Sequence, residues 1–202
     1  MDNVYIEDLR KKVKKALAVD KNRYRHTLGV ADTAACLAMR YGIDVQRAYV
    51  AGLLHDCAKC VPDSKKISEC EAYGLAISSY ERISPYLLHA KLGAEYAKRI
   101  YGINDPEICS AIAYHTTGKP AMTRLEEIIF LADYIEPRRN QASDLPKVRK
   151  MAFVDIRRAI YTVTADTLDY LNSMGKPIDP MTEQTYRYYA GLYEKSGKDQ
   201  ES

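Results

Sequence analysis

The chain contains four histidines, His26, His55, His89 and His115, and they form one series with two aspartates, Asp56 directly after His55 and Asp133 further on. Each histidine marks a different helix-like segment and Asp133 marks a fifth. Six nitrogen and oxygen donors converging from five segments are what a two-metal hydrolytic centre needs. Imidazole mixed with carboxylate suits iron, manganese or zinc. No thiolate is required, which argues against a closed structural zinc site.

The six donors share the apolar faces of their segments. His26 lies four residues before Val30 and eleven before Leu37, His55 follows Ala48 and Gly52, and His89 precedes Leu92, Gly93 and Tyr96. His115 follows Ile108 and Ile112, and Asp133 follows Leu125 and Ile129. At helical spacing these residues point where the core points. One buried histidine is commonplace. Four with two carboxylates are not, because an unpartnered polar group in the interior costs roughly 1–3 kcal/mol and an unpaired charge far more. A metal centre removes that cost, since deprotonated ligands and cations neutralise one another. Neighbours on a helix project about 100° apart, so near a helix end His55 and Asp56 can reach one centre from two sides. The two oxygens of Asp56 can then bridge two metals.

The elements that must position these groups read as helices throughout. Ile6, Leu9, Val13 and Leu17 keep helical spacing, as do Val30, Ala34, Leu37 and Tyr41. Tyr41-Gly42, Tyr73-Gly74 and Tyr101-Gly102 read as helix stops with a left-handed glycine. Asp44 is expected to cap one helix and Asn104 or Asp105 another, with Pro106 at its first position. Thr123 followed by Glu126 signals a further start. Val148, Ala152, Ile156, Ala159 and Val163 indicate one long helix from about Asp144 to Met174-Gly175, and a last helix runs from about Met181 to Glu194. Residues 59–64 and 137–143 read as loops. The expected fold is all-α: a single domain over 1–198, with a metal-binding core at about 20–140, C-terminal helices at about 144–195 and a disordered tail at 199–202.

Composition sets the outer bounds. With 202 residues, 47% of them apolar, the chain can bury a core as one domain. A net charge of +3 is too mild for a nucleic-acid binder. Arg10, Lys11, Lys12, Lys14, Lys15, Lys21, Arg23 and Arg25 nevertheless crowd the approach to His26, as a solvated helix face or as an electrostatic funnel for a polyphosphate. Five irregularly spaced cysteines make no disulfide framework, and Cys57 and Cys60 form a C-x-x-C in a helical pattern, without the context of a redox motif. No stretch approaches the ~20 apolar residues of a membrane span, so the expectation is a cytoplasmic enzyme.

The series with its flanks resembles a known family. His26, His55-Asp56 and Asp133, with Ala-Gly-Leu-Leu-His-Asp-Cys-Ala-Lys at 51–59, resemble the HD superfamily of metal-dependent phosphohydrolases. His89 and His115 match its dinuclear branch. Leu-His-Ala at 88–90, Tyr-His-Thr-Thr-Gly at 114–118 and Phe-Leu-Ala-Asp-Tyr-Ile-Glu-Pro-Arg-Arg at 130–139 look closer still to the YqeK-type subfamily of symmetrical diadenosine tetraphosphate hydrolases. The resemblance implies central cleavage of diadenosine tetraphosphate to two ADP on a di-iron centre. It also implies that His26, His55, Asp56 and Asp133 hold one metal, and Asp56, His89 and His115 the other.

Two cations about 3.5–4 Å apart lower the pKa of a shared water and neutralise phosphate oxygens, so the resulting hydroxide needs no Ser or Cys nucleophile beside it. Asp56, His89 and Lys59 are the expected catalytic residues. Lys59, Tyr86, Thr116, Thr117, Arg138 and Arg139 are the candidates for holding substrate: Lys59 and the arginines as phosphate cations, the threonines as hydroxyl donors or helix caps, and Tyr86 as a stacking or packing ring. A nucleotide is the expected small-molecule partner, and the tyrosine-rich surface permits a homodimer. Three alternatives stay open here: another nucleotide as substrate (a nucleotidase or nucleoside triphosphate hydrolase), a di-iron oxygenase, and a non-catalytic nucleotide sensor.

Overall fold

A computed structural model of the chain describes residues 3–140, 142, 144–175 and 177–198. Its helices are α1 (Asn3–Ala16), α2 (Lys21–Tyr41), α3 (Val45–Leu54), α4 (Asp63–Ala72), α5 (Ser79–Ile83), α6 (Leu88–Arg99), α7 (Pro106–Tyr114), α8 (Arg124–Ile135), α9 (Leu145–Ala152), α10 (Ile156–Ser173) and α11 (Pro180–Lys198). A 3₁₀ turn, Pro85–Leu87, joins α5 to α6. The described residues contain no strand, so the fold is all-α as the periodicity requires. The expected tail at 199–202 lies outside the described residues.

The stop and start signals act where the sequence places them. Gly42, Gly74 and Gly102 all have φ near +70°, at 67°, 69° and 71°. Asp44 accepts from Arg47 N–H to open α3, Asp105 from Glu107 and Ile108 N–H to open α7, and Thr123 with Glu126 forms a reciprocal capping box at α8. The single long helix expected over 144–174 is instead α9 and α10. Asp155 takes an extended conformation (φ −142°) and caps Arg158 N–H, which breaks the ladder at 153–155. Val148, Ala152, Ile156 and Ala159 are all buried on both sides of the break, so the apolar spacing runs through it unaltered.

One large cluster of buried side chains runs from Leu9 of α1 to Tyr189 of α11, and a smaller one lies between α4 and α6 around Cys70, Leu88 and Leu92. The backbones of α2 and α3 approach closely beside the histidines. A Cβ on Gly52 would stand 2.8 Å from Ala31 Cα, inside any real contact. Gly52→Val is therefore expected to force α3 off α2, costing about 3 kcal/mol or more, and to lower the midpoint of thermal unfolding together with bound metal. An unchanged midpoint would mean that the two backbones do not meet there.

Candidate metal centre

α3 and α7 run side by side and end at the same level, because their starts are tied together. Arg47 in the first turn of α3 donates to both Asp105 oxygens (2.7 and 2.9 Å) and to Glu107 (2.8 Å) at the start of α7. Ten residues of α3 and nine of α7 then rise nearly the same distance, about 1.5 Å per residue. Their C-terminal caps are His55 and His115. His89 stands in the first turn of α6, just past the 3₁₀ turn, His26 in α2 and Asp133 near the end of α8.

All four imidazoles are held through Nδ1, three by a backbone carbonyl and one by a carboxylate. His55, His89 and His115 each donate Nδ1–H to the carbonyl three residues earlier, Gly52, Tyr86 and Ile112, at 2.7, 2.6 and 2.7 Å. His26 Nδ1 lies 3.2 Å from Glu136 Oε1. A proton fixed on Nδ1 leaves the Nε2 lone pair free, the form that binds metal.

The Nε2 atoms meet around Asp56. Its Oδ2 lies 3.3 Å from His55 Nε2 and 3.9 Å from His26 Nε2, and its Oδ1 lies 3.3 Å from His89 Nε2 and 3.7 Å from His115 Nε2. The carboxylate thus stands between two histidine pairs, one to each oxygen. Asp133 Oδ1 completes the first group, 2.9 Å from His26 Nε2 and 3.8 Å from His55 Nε2. Donor atoms of His26, His55 and Asp56, of His55, His115 and Asp133, and of Asp56, His89 and His115 fall within 4.8 Å of one another.

His26 Nε2, His55 Nε2 and Asp56 Oδ1 are buried without a hydrogen-bond partner. Left so, each would cost the desolvation penalty of a polar group. A cation accepted by these atoms removes it, so the donor set fits a metal. The protonation states agree. Burial by itself would raise the Asp56 carboxyl, but His55, His115 and His89 outweigh it and hold the group well below the usual carboxylate range. Asp133 is held low against its own burial by His26, His55 and Arg139. Burial pushes His89 down to about 4, so it is a neutral lone-pair donor near pH 7.

Cationic and hydroxyl groups surround the donors. Lys59 Nζ lies 3.1 Å from His89 Nε2 and 3.8 Å from Asp56 Oδ1, and burial lowers its pKa. Thr116 Oγ1 faces His115 Nε2 and His89 Nε2 at 3.1 and 3.3 Å, whereas the Thr117 hydroxyl donates to the Gly118 carbonyl. Arg139 donates to Asp133 Oδ1 at 2.8 Å, while Arg138 is exposed and donates to the Arg25 carbonyl. Tyr86 holds His89 through its carbonyl, and its ring is 48% exposed.

Two contacts at the centre were not read from the sequence, which placed Arg23 only in the basic run before His26. Arg23 donates to Asp56 Oδ2 at 2.9 Å, and Glu136 orients His26. Each stands three residues from a donor on its own helix or cap, Arg23 before His26 and Glu136 after Asp133, and that spacing was the available signal. The basic run divides: Arg10 and Lys12 pair with Glu7 and Asp8 along α1, and Arg23 and Arg25 line a cleft beside the centre. The C-x-x-C lies in turns beyond α3 rather than in a helix, and burial pushes both thiols up, so neither is a ready thiolate.

The HD domain model matches residues 23–138, a span that contains all six donors. The chain belongs to the HD-domain family. Among relatives of this HD protein, the symmetrical bis(5'-nucleosyl)-tetraphosphatase of Halalkalibacterium halodurans is 42% identical over 82% of this chain and 88% of its own length. The Bacillus subtilis protein of that name is 38% identical over 83% and 89%. The crystal structure of a Clostridium acetobutylicum protein described as a predicted HD superfamily hydrolase involved in NAD metabolism superposes with a TM-score of 0.89 at 35% identity over 93% of this chain and 97% of that one. No described helix is long and apolar enough to cross a membrane.

Proposed function

We propose that this HD protein hydrolyses diadenosine tetraphosphate at its centre to two ADP, with residues 1–198 acting as one unit. The observation that carries the reading is the Asp56 carboxylate buried between two histidine pairs, with Arg23 and Lys59 beside it. Relatives of matching length named for that activity point the same way. His26, His55, Asp56 and Asp133 would hold one metal ion, and Asp56, His89 and His115 a second, iron first and manganese or zinc as other fits. When bound, such ions supply an activated water and neutralise phosphate charge.

The chain's own groups do the rest. Lys59, pinned between Asp56 and His89, offers an ammonium to a phosphate oxygen as charge builds on it. Thr116 offers a hydroxyl on the same side, and Tyr86 a half-exposed ring beyond it. Arg139, fixed on Asp133, presents its remaining N–H groups to the next phosphate. Arg149 steadies that arginine by donating to the carbonyls of Ile135, Glu136 and Arg139 at 2.8, 2.9 and 2.8 Å.

A second reading is favoured by one asymmetry. The orphaned histidine nitrogens belong to His26 and His55, whereas His89 and His115 already face Lys59, Thr116 and each other. In that reading one ion would sit on the Asp133 side, and Lys59 and Thr116, which lie against His89 and His115, would hold the phosphate.

Assay of a nucleotide panel tests the activity. ADP as the sole product of diadenosine tetraphosphate is expected; AMP with ATP, or preference for a mononucleotide, would overturn the reading. Lys59→Ala is expected to lower kcat/KM by about 10²-fold, near 2.7 kcal/mol of transition-state stabilisation, with metal content unchanged. Full activity in that variant would remove Lys59 from the mechanism.

A further inference from the structure

A cleft of about 390 Å³ opens at the start of α2 and the turn after α8. Its walls carry Asn22, Arg23, Arg25, Arg138, Arg139 and Asn140, and His26 is at its floor. We propose that this cleft holds one nucleoside diphosphate half of a dinucleoside polyphosphate, while the Lys59 side holds the other. The proposal rests on the hydrolytic reading above and deepens it.

Four guanidiniums face the cleft against two carboxylates, and both carboxylates are already engaged. Asp20 accepts from Arg23 N–H at 2.9 Å, and Glu136 is shared between His26 Nδ1 at 3.2 Å and Arg138 N–H at 2.9 Å. Arg25 is exposed, and Arg138 is exposed over more than half its side chain, with only Nη1 engaged, by the Arg25 carbonyl at 3.3 Å and by Glu136 at 4.0 Å; the remaining N–H groups keep the fork that grips a phosphate with two parallel bonds.

Arg23 reaches Asp56 Oδ2, and Lys59 lies nearest Oδ1 of the same carboxylate. Cations therefore flank the central carboxylate on both sides. A mononucleotide, whose phosphates run in one direction from the base, would use one flank. A polyphosphate with a nucleoside at each end extends both ways from its middle bond and uses both.

The cleft falls within the volume of small-ligand pockets, about 300–1,000 Å³, and suits a nucleoside with its phosphates rather than a whole dinucleotide. Asn22 and Asn140 are exposed at its edge. Their amides each offer a donor and an acceptor, as a base edge or ribose requires. The Arg138 to Arg25 carbonyl bond at 3.3 Å joins the two walls.

The test uses metal-loaded full-length enzyme and the double variant Arg25→Ser/Arg138→Ser. The variant is expected to raise KM for diadenosine tetraphosphate about tenfold, with kcat within about twofold and metal content unchanged. Titration calorimetry with ADP is expected to give two sites per chain in the wild type and one in the variant. An unchanged KM, a single ADP site in the wild type, or loss of metal from the variant would overturn the assignment of the cleft while leaving the hydrolytic activity standing. Wild-type enzyme that releases no ADP would overturn both together.

Discussion

Asp56→Ala is expected to abolish turnover, by about 10³-fold or more, and to strip bound metal from the protein. The size of the effect follows from position. Asp56 gives one oxygen to each histidine pair, with distances of 3.3 Å to His55 and 3.3 Å to His89. Its removal takes the shared anion from the centre and leaves Arg23 and Lys59 as buried or half-buried cations without their partner. Asp56→Asn keeps the shape but halves the donor set and removes the charge, so it should lose metal nearly as completely. Near-normal hydrolysis by either variant, with metal retained, would refute the bridging role. Thermal unfolding should be recorded beside activity. The apo variant is expected to stay folded, because Leu54, Ala58 and Leu92 keep the surrounding core packed.

Glu136→Gln is expected to have the next largest effect, a 10–100-fold loss of metal affinity and of activity at limiting metal. Glu136 is buried, faces His26 Nδ1 with one oxygen and accepts from Arg138 N–H with the other. A carboxylate there fixes the imidazole orientation and makes Nε2 a stronger ligand. The amide keeps the volume and one hydrogen bond but loses the charge. The loss should be recovered by raising metal concentration, which distinguishes an orienting group from one that acts on substrate. Loss of activity that excess metal does not restore would place Glu136 in the chemistry instead. Gly29 supports the same contact: a Cβ there would stand 2.3 Å from Glu136 Oε2, so the glycine makes the room that the carboxylate occupies.

The sequence made the donors legible and the frame around them less so. His26, His55, Asp56, His89, His115 and Asp133 could be grouped because buried polar residues on apolar faces demand a common explanation, and that demand is visible in spacing. The caps at Asp44, Asp105 and Thr123 were legible because each acts within three residues of itself. What lay beyond reach depends on pairs remote in the chain. Glu136 and His26 are 110 residues apart, and Arg23 and Asp56 are 33 apart. Spacing of three residues from His26 and Asp133 could single out Arg23 and Glu136, but no local pattern says which distant residue each one meets. Arg47 shows the same limit: its bonds to Asp105 and Glu107 set the level at which His55 and His115 emerge, yet in the sequence it is one arginine among many. The break at Asp155 was hidden for the opposite reason, since α9 and α10 keep one apolar phase across it and periodicity reports phase rather than continuity.

The most direct test of the centre is anomalous diffraction from crystals of the protein loaded with manganese or iron, with the same preparation assayed for ADP release. Ion density is expected against Asp56 Oδ2 with His26, His55 and Asp133 around it, and against Oδ1 with His89 and His115. An active preparation whose ions lie away from Asp56, or that holds none, would contradict the account.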